Sequence, residues 1–508
     1  MIKLSDYDIN PIESEPEAKT GTRRFKAAKT DRVHNKWGRH SNVTNYDLRS
    51  DLSTLRARSR SFARNNSLGR KFFGLVQSNI VGPKGIQLQV NARTPRGKMN
   101  TNLNKQIETE FWKWGFAETC SASGKLNWIA FQNLVIKHLS RDGEALIQLV
   151  KSNNKYGLSL KVIPVEYLDE QYTDTKNGNR IVMSIEVDND WKPVAYWLTT
   201  PVSNMMFAND QERRRVRVPA DQIIHAFIVA EDEEQVRGIP WTHATMVSAL
   251  FLSRLDDSVL LNVTNAANTL GFIKNSIPDE NANEWTGEEG EPPPLYVNRD
   301  PMSFTELDAG QDIQKFSSEQ PHQNLTEYAK RIETSGIAAG LDVPYFELTG
   351  DLSEVNFSSA RIGLAQSRDN WRGLQGWFAE AVCLPIYKAW VKSAIGINGI
   401  LNISPRDYDE IQMPEWQGRR WEYIEPLKDA QADALAIATG TRTLKGILAE
   451  RGIDFDDHVA ELVEVKTILE EKGLDFTTKS TKPGVDTPDD TEDDPKPSDT
   501  KKKTKTKE

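Results

Sequence analysis

Residues 346–391 contain a long helical pattern that follows a polar loop, and this pattern limits the possible folds more than any other feature. Its large apolar side chains recur at spacings of three, four and seven residues, the period of an amphipathic helix. The apolar face consists of Leu364, Trp371, Leu374, Phe378, Val382 and Trp390. Ser358 stands where an N-cap would accept hydrogen bonds from the free amides of the first turn. We therefore expect a helix with one buried face, and we look for function first in the loop before it.

The composition predicts a soluble chain. Its 508 residues are 38% hydrophobic and 27% charged, which fits about two to four domains. No apolar run long enough for a membrane span occurs, and the polar, acidic N-terminus predicts no secretory signal. The net charge of -9 argues against a protein that grips nucleic acid over most of its surface, but not against one past which nucleic acid moves. Cys120 and Cys383 are expected to be buried free thiols.

The two ends of the chain have compositions that predict little packing. Residues 1–45 change from acidic to basic, and we interpret them either as an arm that contacts DNA or an acidic partner, or as a solvated terminus. The candidate contact residues of this arm are Arg23, Arg24, Lys26 and Lys29. Residues 478–508 contain an acidic run followed by lysines, which predicts a disordered tail.

Residues 46–239 are predicted to form a mixed α+β region in which helices precede a sheet. A long basic helix, a turn at Gly82 and two further helices at 101–116 and 126–141 come first. The predicted strands of the sheet are 144–150, 157–168, 180–188, 193–199 and 218–229. The arginines of the basic helix do not share one face, so we expect a solvated helix. They are Arg56, Arg58, Arg60, Arg64 and Arg70.

Two long helices with short strands between them follow this region. The first is predicted to start at Pro240 and to continue to residue 270, a length of about 45 Å at about 1.5 Å per residue. The second is predicted at 322–340, and an acidic loop rich in Gly and Pro lies between the helices. Near the C-terminus we expect two or three short helices broken at glycines, with Thr443 and Asp454 as N-caps.

The sequence lacks the motifs that would indicate catalysis. Its nearest match to a phosphate-binding loop has Thr119 in place of the first glycine and Leu126 in place of Ser or Thr. No H-E-x-x-H or G-x-S-x-G motif occurs, and we expect structural roles for His225 and His243. We therefore predict that the protein is not an enzyme, has no catalytic residues, and binds no metal and no cofactor.

Four segments, in the same order, resemble the portal proteins of lambda-type tailed bacteriophages. They lie at residues 58–89, 235–257, 335–371 and 426–457 and include RSRSFARNNSLGRKFF, QVRGIPWTHA, LDVPYFELTGDLSEVNFSSARIG and LKDAQADALAIATG. The resemblance implies a portal-type α+β fold with β-rich wing and clip regions, two stem helices, a long wing helix and a small helical crown. The implied regions are a wing (46–239), a first stem helix (240–270), a clip (271–320), a second stem helix (321–341), a tunnel loop (342–357), a wing helix with its connection (358–424) and a crown (425–477).

The resemblance also implies a function and a set of partners. About twelve copies would form a ring at one capsid vertex, and double-stranded phage DNA would pass through its channel without sequence-specific binding. The other implied partners are the terminase large subunit, the major capsid and scaffold proteins and the head–tail connector protein, with no membrane. The protein would reside in the virion, and in the host cytoplasm during assembly.

The tunnel loop is the site that the resemblance implies for DNA passage. Its candidate DNA-facing residues are Glu347, Thr349, Asp351, Ser353, Glu354, Asn356 and Ser358. No Lys or Arg occurs between Glu347 and Arg361, so the loop would repel phosphates or contact them through water. This property suits a ring around moving DNA, because every phosphate contact strengthens binding and must be broken at each step.

Two other classes of protein are alternatives to a portal. One is a nuclease or hydrolase acting on DNA, which needs a cluster of carboxylates or histidines that the sequence does not display. The other is a DNA-binding protein that uses the basic N-terminal region, which predicts a compact basic domain. The mass in solution distinguishes them, since a ring has a mass near about twelve times 57.4 kDa.

Overall fold

The structure is a computed structural model, and its described residues fall into two compact units, one before residue 422 and one after it. The described residues are 43–93, 100–176, 178–199, 214–274, 303–307, 323–353, 355–396, 400–401, 403, 408, 411–421, 426–450 and 455–472. Most of the N-terminal arm, the C-terminal tail, the acidic Gly/Pro-rich loop, Glu354 and Asp454 lie outside these residues. In the described parts of the chain, no helix combines the length and the apolar character needed to cross a membrane.

The predicted basic helix is two helices, α1 (Thr44–Asn65) and α2 (Ser67–Val76), and α2 continues into one π-helical turn (Gln77–Val81). The break is at Asn66, which has an extended backbone and whose side chain accepts hydrogen bonds from the amides of Leu68 and Gly69. An Asn that caps the next helix competes with helix continuation. The predicted turn at Gly82 is confirmed by its positive φ of 69°.

The strands form two main antiparallel sheets instead of one. Their strands are β2 (Glu144–Lys151), β3 (Leu158–Ile163), β4 (Asp174–Lys176), β5 (Asn179–Val182), β6 (Ile185–Val187), β7 (Pro193–Thr199), β8 (Arg215–Pro219) and β9 (Ile223–Phe227). The first sheet has the order β3-β2-β9, and the second β4-β5-β6-β7-β8. The predicted strand 218–229 is divided by a 3-10 turn (Ala220–Gln222), so that its two halves pair in different sheets. The predicted strand 180–188 is divided at Met183 and Ser184, which have positive φ.

The main hydrophobic core joins the N-terminal helices to the predicted amphipathic helix. The helices involved are α3 (Thr101–Trp114), α4 (Ala117–Cys120), α5 (Trp128–Asp142), α9 (Phe357–Phe378) and α10 (Leu384–Gly396), with a π-helical turn (Ala379–Cys383) between the last two. The ring of Phe111 lies 5.2 to 5.9 Å from the rings of Trp114, Trp128, Tyr387 and Trp390. The pairs with Trp128, Tyr387 and Trp390 are edge-to-face, an arrangement that adds to the stabilisation from burial. Among the aromatic residues of the predicted helices 101–116 and 126–141, Phe111, Trp114 and Phe131 are buried and Trp128 is half-buried, whereas Trp112 and Phe116 are exposed.

The two predicted long helices are α6 (Met246–Asn268) and α7 (Gln323–Gly340). The expected start of α6 at Pro240 is wrong, because residues 240–245 form successive turns in which His243 N donates to Pro240 O and Thr245 N to Thr242 O. The two helices contact each other, and Lys330 Nζ lies 2.7 Å from Asp256 Oδ1. A parallel pair of strands, β10 (Thr269–Lys274) and β11 (Ser303–Leu307), follows α6.

Several smaller elements complete the fold. A short helix α8 (Tyr345–Thr349) lies in the predicted tunnel loop, and β1 (Gln87–Gln89) pairs with β12 (Glu415–Gln417). The C-terminal unit consists of α11 (Pro426–Ala438), α12 (Leu444–Glu450) and α13 (Phe455–Glu471). The predicted cap at Thr443 is confirmed, because its Oγ1 accepts a hydrogen bond from Gly446 N.

Candidate functional site

The loop between α7 and α9 is the candidate functional site, and its backbone is shaped by a few residues with unusual conformations. Asp342, two residues after the end of α7, has a positive φ of 55°. Pro344 precedes α8, and Gly350 ends it with a φ of 77°. Glycine adopts this left-handed conformation without strain, which is why it ends helices so often. The chain then leaves α8 abruptly and exposes the segment that follows.

Asp351 organises the exposed part of the loop. Its Oδ1 accepts hydrogen bonds from Ser353 N at 3.0 Å and from Ser353 Oγ at 2.6 Å. Its amide donates to Thr349 Oγ1, and Tyr345 Oη lies 3.4 Å from Asp351 Oδ2. The hydrogen bonds from Ser353 hold the pKa of Asp351 below its usual value. The exposed carboxylate is therefore a fixed negative charge at neutral pH.

The long helix α9 is capped by Asn356, and the expectation that Ser358 is the N-cap is wrong. Asn356 has an extended backbone, and its Oδ1 accepts a hydrogen bond of 2.7 Å from Ser359 N. Ser358 lies inside the first turn and is exposed. Asn and Ser are similarly good caps, so the sequence alone could not select between two candidates that are two residues apart.

Two of the candidate loop residues are used in contacts within the chain. Glu347 is half-buried, and its Oε2 accepts a hydrogen bond of 3.0 Å from Ser367 Oγ on α9. Thr349 is also half-buried, and its hydroxyl donates to Tyr345 O. The hydrogen bond of Glu347 therefore joins α8 to α9, whereas that of Thr349 lies within α8, where Leu348 is buried. Of the other candidates, Asp351, Ser353, Asn356 and Ser358 are exposed, while Glu354, Arg23, Arg24, Lys26 and Lys29 lie outside the described residues.

A second polar feature, a buried ion cluster centred on Glu144, was not predicted from the sequence. Glu144 at the start of β2 is fully buried. Its carboxylate accepts hydrogen bonds from Arg237 Nη2 at 2.7 Å, from Arg56 Nη2 at 2.5 Å and from Gly238 N at 3.1 Å. His225 Nε2 lies 3.0 Å from Glu144 Oε2. The cluster therefore joins α1, β2, β9 and the segment that leads into α6.

The charges in this cluster compensate one another. Burial by itself would raise the pKa of Glu144, but Arg237, Arg56 and His225 hold it well below its usual value. Arg56 also donates to Asp142 O and to Glu170 Oε1. The expectation that the arginines of the basic helix are all solvated is therefore wrong for Arg56, which is buried because it neutralises acidic groups on neighbouring elements. The structural role expected for His225 fits its place in the cluster.

Two glycines allow the backbone segments that carry Glu144 and Arg237 to lie close together. A Cβ on Gly143 would lie 2.5 Å from the backbone of Ile239, and a Cβ on Gly238 would lie 2.1 Å from Gly143 O. Any larger residue would separate these two backbone segments, and with them Glu144 and Arg237. Within the residues that the structure describes, no group of three or more His, Cys, Asp or Glu side chains has the arrangement of a metal site.

Comparison with known proteins identifies the class of this chain. The family model described as phage portal protein, lambda family, matches residues 30–375. The probable portal protein of Halomonas phage phiHAP-1 is 28% identical over 469 residues, which cover 90% of this chain and 89% of that protein. Portal protein B of Escherichia phage lambda is 25% identical over 134 residues, 25% of each chain. Among solved structures, the neck of an empty GTA particle computed with C6 symmetry matches with a TM-score of 0.39 and 15% identity, over 79% of this chain and 94% of that chain.

The family model, which matches more than half of the chain, identifies the class as a phage portal protein. The chain belongs to the lambda family of phage portal proteins.

Proposed function

We propose that about twelve copies of the chain form a ring at one capsid vertex, and that the loop residues Asp351, Ser353, Glu354 and Asn356 face double-stranded DNA moving through its channel. The observation that carries this proposal is the exposed, ionised carboxylate of Asp351 in a segment without Lys or Arg. Glu347 is assigned a different role, because its carboxylate is bonded to Ser367. It would hold the loop on α9.

The physical basis of the proposal is weak binding. DNA affinity grows with the number of phosphates that cations neutralise. A loop that presents a carboxylate, a hydroxyl and an amide neutralises none of them, so the duplex can advance without breaking ion pairs. The carboxylates would also keep neighbouring phosphates at a distance that water fills.

In this proposal α6 and α7 are the two stem helices, and their uncovered apolar side chains form the contact between copies. Val247, Leu250 and Phe251 on α6 are each half or more exposed, as are Tyr328 and Ile332 on α7. Exposed apolar surface of this kind suits a protein interface. A head-to-tail contact between copies, the type of contact that closes into a ring, would bury it.

The proposed partners are those that the family resemblance implies. They are the terminase large subunit, the major capsid and scaffold proteins and the head–tail connector protein. The nearest match to a phosphate-binding loop has the wrong residues at Thr119 and Leu126, which supports a separate protein as the source of ATP-driven movement. The virion vertex, and the host cytoplasm before assembly, are the proposed locations.

Charge reversal in the loop tests the proposal. The variant Asp351→Lys/Glu354→Lys should form rings of normal mass, but it should package DNA more slowly because each lysine adds a phosphate contact that must be broken. The slowing should lessen as salt is raised. The matched control is Glu380→Lys, a charge reversal at an exposed position far along the same helical stretch. Packaging at the wild-type rate in the loop variant would show that this loop does not face DNA.

A further inference from the structure

A cleft with basic walls lies between α1, α2 and α5. It has a volume of about 610 Å³, and the cations that line it come from all three helices. We call it the basic cleft and define it by Arg60, Arg64, Arg70, Lys137, His138 and Arg141. Apolar groups of Ala63, Phe73 and Pro164 form other parts of its wall. Neither the ion cluster at Glu144 nor the loop before α9 uses these side chains.

The basic cleft has more positive than negative charge. Two carboxylates adjoin it, buried Asp142 and exposed Glu166. Asp142 Oδ1 lies 2.7 Å from Arg60 Nε and its Oδ2 lies 2.6 Å from Arg141 Nη2, and Arg60 also pairs with Glu166. Arg64, Arg70 and Lys137 have no carboxylate partner in the described parts of the chain. Five Lys and Arg side chains therefore face two carboxylates, which leaves an excess of three positive charges.

Helix dipoles explain only part of this arrangement. Arg64 lies in the last turn of α1 and Arg141 in the last turn of α5, where a cation interacts favourably with the negative end of the helix dipole. Arg70 lies at the fourth position of α2, close to the positive end, where a cation is disfavoured. Lys137 lies in the middle of α5. An anion in the cleft would interact favourably with both of these side chains.

We propose that the basic cleft binds an acidic peptide segment of a partner protein. Arginine forks form paired, charge-assisted hydrogen bonds with carboxylates, and arginine clusters recognise acidic motifs in this way. The apolar wall formed by Ala63, Phe73 and Pro164 suits a peptide in which an apolar side chain accompanies the acidic ones. The volume lies in the range of pockets that enclose a ligand. The proposal does not depend on ring formation or on the role of the loop.

Duplex DNA fits this surface less well. A single DNA-binding module buries roughly 600 Å² or more of protein surface against the duplex. The unpaired cations here surround an indentation instead of lining a broad face, so a duplex would reach only those at its rim. A narrow chain that carries carboxylates can enter it.

Fluorescence polarisation with the full-length protein tests the proposal. The probe is a labelled EDLEDLED peptide, and the neutral QNLQNLQN peptide of the same shape is its control. Arg70→Gln should weaken binding of the acidic peptide about tenfold, the effect of one lost charge-assisted bond. Arg64→Gln/Lys137→Gln should weaken it further. Lys71→Gln removes an exposed cation next to Arg70 that does not line the cleft, and should change binding less than twofold.

Three results would overturn the proposal. Equal binding of the acidic and neutral peptides would show that charge does not direct the contact. Equal losses of peptide affinity in Arg70→Gln and Lys71→Gln would show that the peptide does not bind in the cleft. Tighter binding of a short labelled DNA duplex than of the peptide, lost in the same cleft variants, would assign these cations to phosphates. Unchanged thermal unfolding of each variant excludes misfolding as the cause of a loss.

Discussion

Glu144 is a carboxylate without solvent exposure that is surrounded by two guanidinium groups and an imidazole. Moving such charges out of water is unfavourable, and their mutual attraction offsets this only while all partners are present. Because Arg237 belongs to the segment that leads into α6, the cluster fixes the start of α6, the proposed first stem helix, to β2 and α1. We infer that its role is to hold the proposed stem in one orientation.

Glu144→Gln should therefore destabilise the fold strongly. The amide cannot neutralise Arg56 and Arg237, and two buried cations would then lack their main counter-charge. The expected loss in the free energy of unfolding is about 3 to 5 kcal/mol, measured by urea unfolding. Glu233→Gln, at an exposed position in the loop after β9, should stay within about 0.5 kcal/mol of the wild type. Equal stability of the two variants would show that the cluster contributes little.

The sequence indicates that Arg56 is buried, but it does not indicate which carboxylate pairs with it. Leu48, Leu52 and Phe62 lie on one face of α1, and Arg56 occupies the same face four residues after Leu52. A charge in an apolar stripe predicts a buried ion pair. The sequence does not indicate that the partner is Glu144, because that pairing depends on where α1 lies relative to β2 in the folded chain.

At the scale of elements, α8, the loop and α9 form one unit in which the start of α9 fixes the loop. Asn356 Oδ1 satisfies an amide that the helix itself leaves free. Glu347 fixes α8 to the same helix through Ser367. Only eight residues separate these two attachments, so a change at either one should alter the position of Asp351.

Asn356→Ala should destabilise the first turn of α9 by about 1 kcal/mol, the usual effect of removing an N-cap. Faster hydrogen exchange of the Ser359 amide would report it directly. Ser358→Ala is the matched control, since Ser358 lies within the turn and caps nothing. If Ser358→Ala had the larger effect, the cap would be at the position that the sequence suggested first.

The apolar face of the stem gives a prediction about assembly. Leu250→Asp/Phe251→Asp places two charges on the exposed side of α6, where the proposed contact would bury them without partners. Light scattering should then give a mass near the 57.4 kDa of one chain. Val216→Asp is the control, because Val216 is comparably exposed on β8. Rings of normal mass in the α6 variant would exclude this face as the contact between copies.

Periodicity predicted the helices better than the strands. Four of the six predicted apolar residues of the long helix, Trp371, Phe378, Val382 and Trp390, are buried, because a single face repeated over many residues leaves little choice of conformation. The strands were placed nearly correctly, but their division into two sheets was not predicted. That division depends on one turn after Pro219 and on the pairing of distant strands, which local patterns do not determine.

At the scale of the whole molecule, three carboxyl groups in different parts of the fold have pKa values below their usual range. Arg217 lowers the pKa of Glu186 to about 2. Burial acts to raise the pKa of Glu110, but Lys113, Lys155 and Tyr156 lower it to about 2. Buried Asp142 is likewise held below its usual value, against the effect of burial, by His138, Arg141 and Arg60. Each of these carboxylates has at least one partner on a different segment of the chain (Arg217, Lys155 and Arg60), so protonation would weaken the fold at several places together.

The fold should therefore lose stability in acid over a defined range. A carboxyl whose pKa is lower in the folded than in the unfolded state stabilises the fold fully above the unfolded value, and this contribution is lost as the pH falls to the folded value. For Glu186 these values are 4.5 and about 2. The unfolding midpoint should change least between about pH 5 and 8 and should fall steadily from about pH 4.5 to about pH 2.

Arg217→Gln raises the pKa of Glu186 towards its ordinary value and should make that decline shallower, whereas Arg58→Gln, at an exposed position on α1, should leave it unchanged. Identical declines of the unfolding midpoint in the two variants would show that the ion pair of Glu186 does not determine how stability falls in acid.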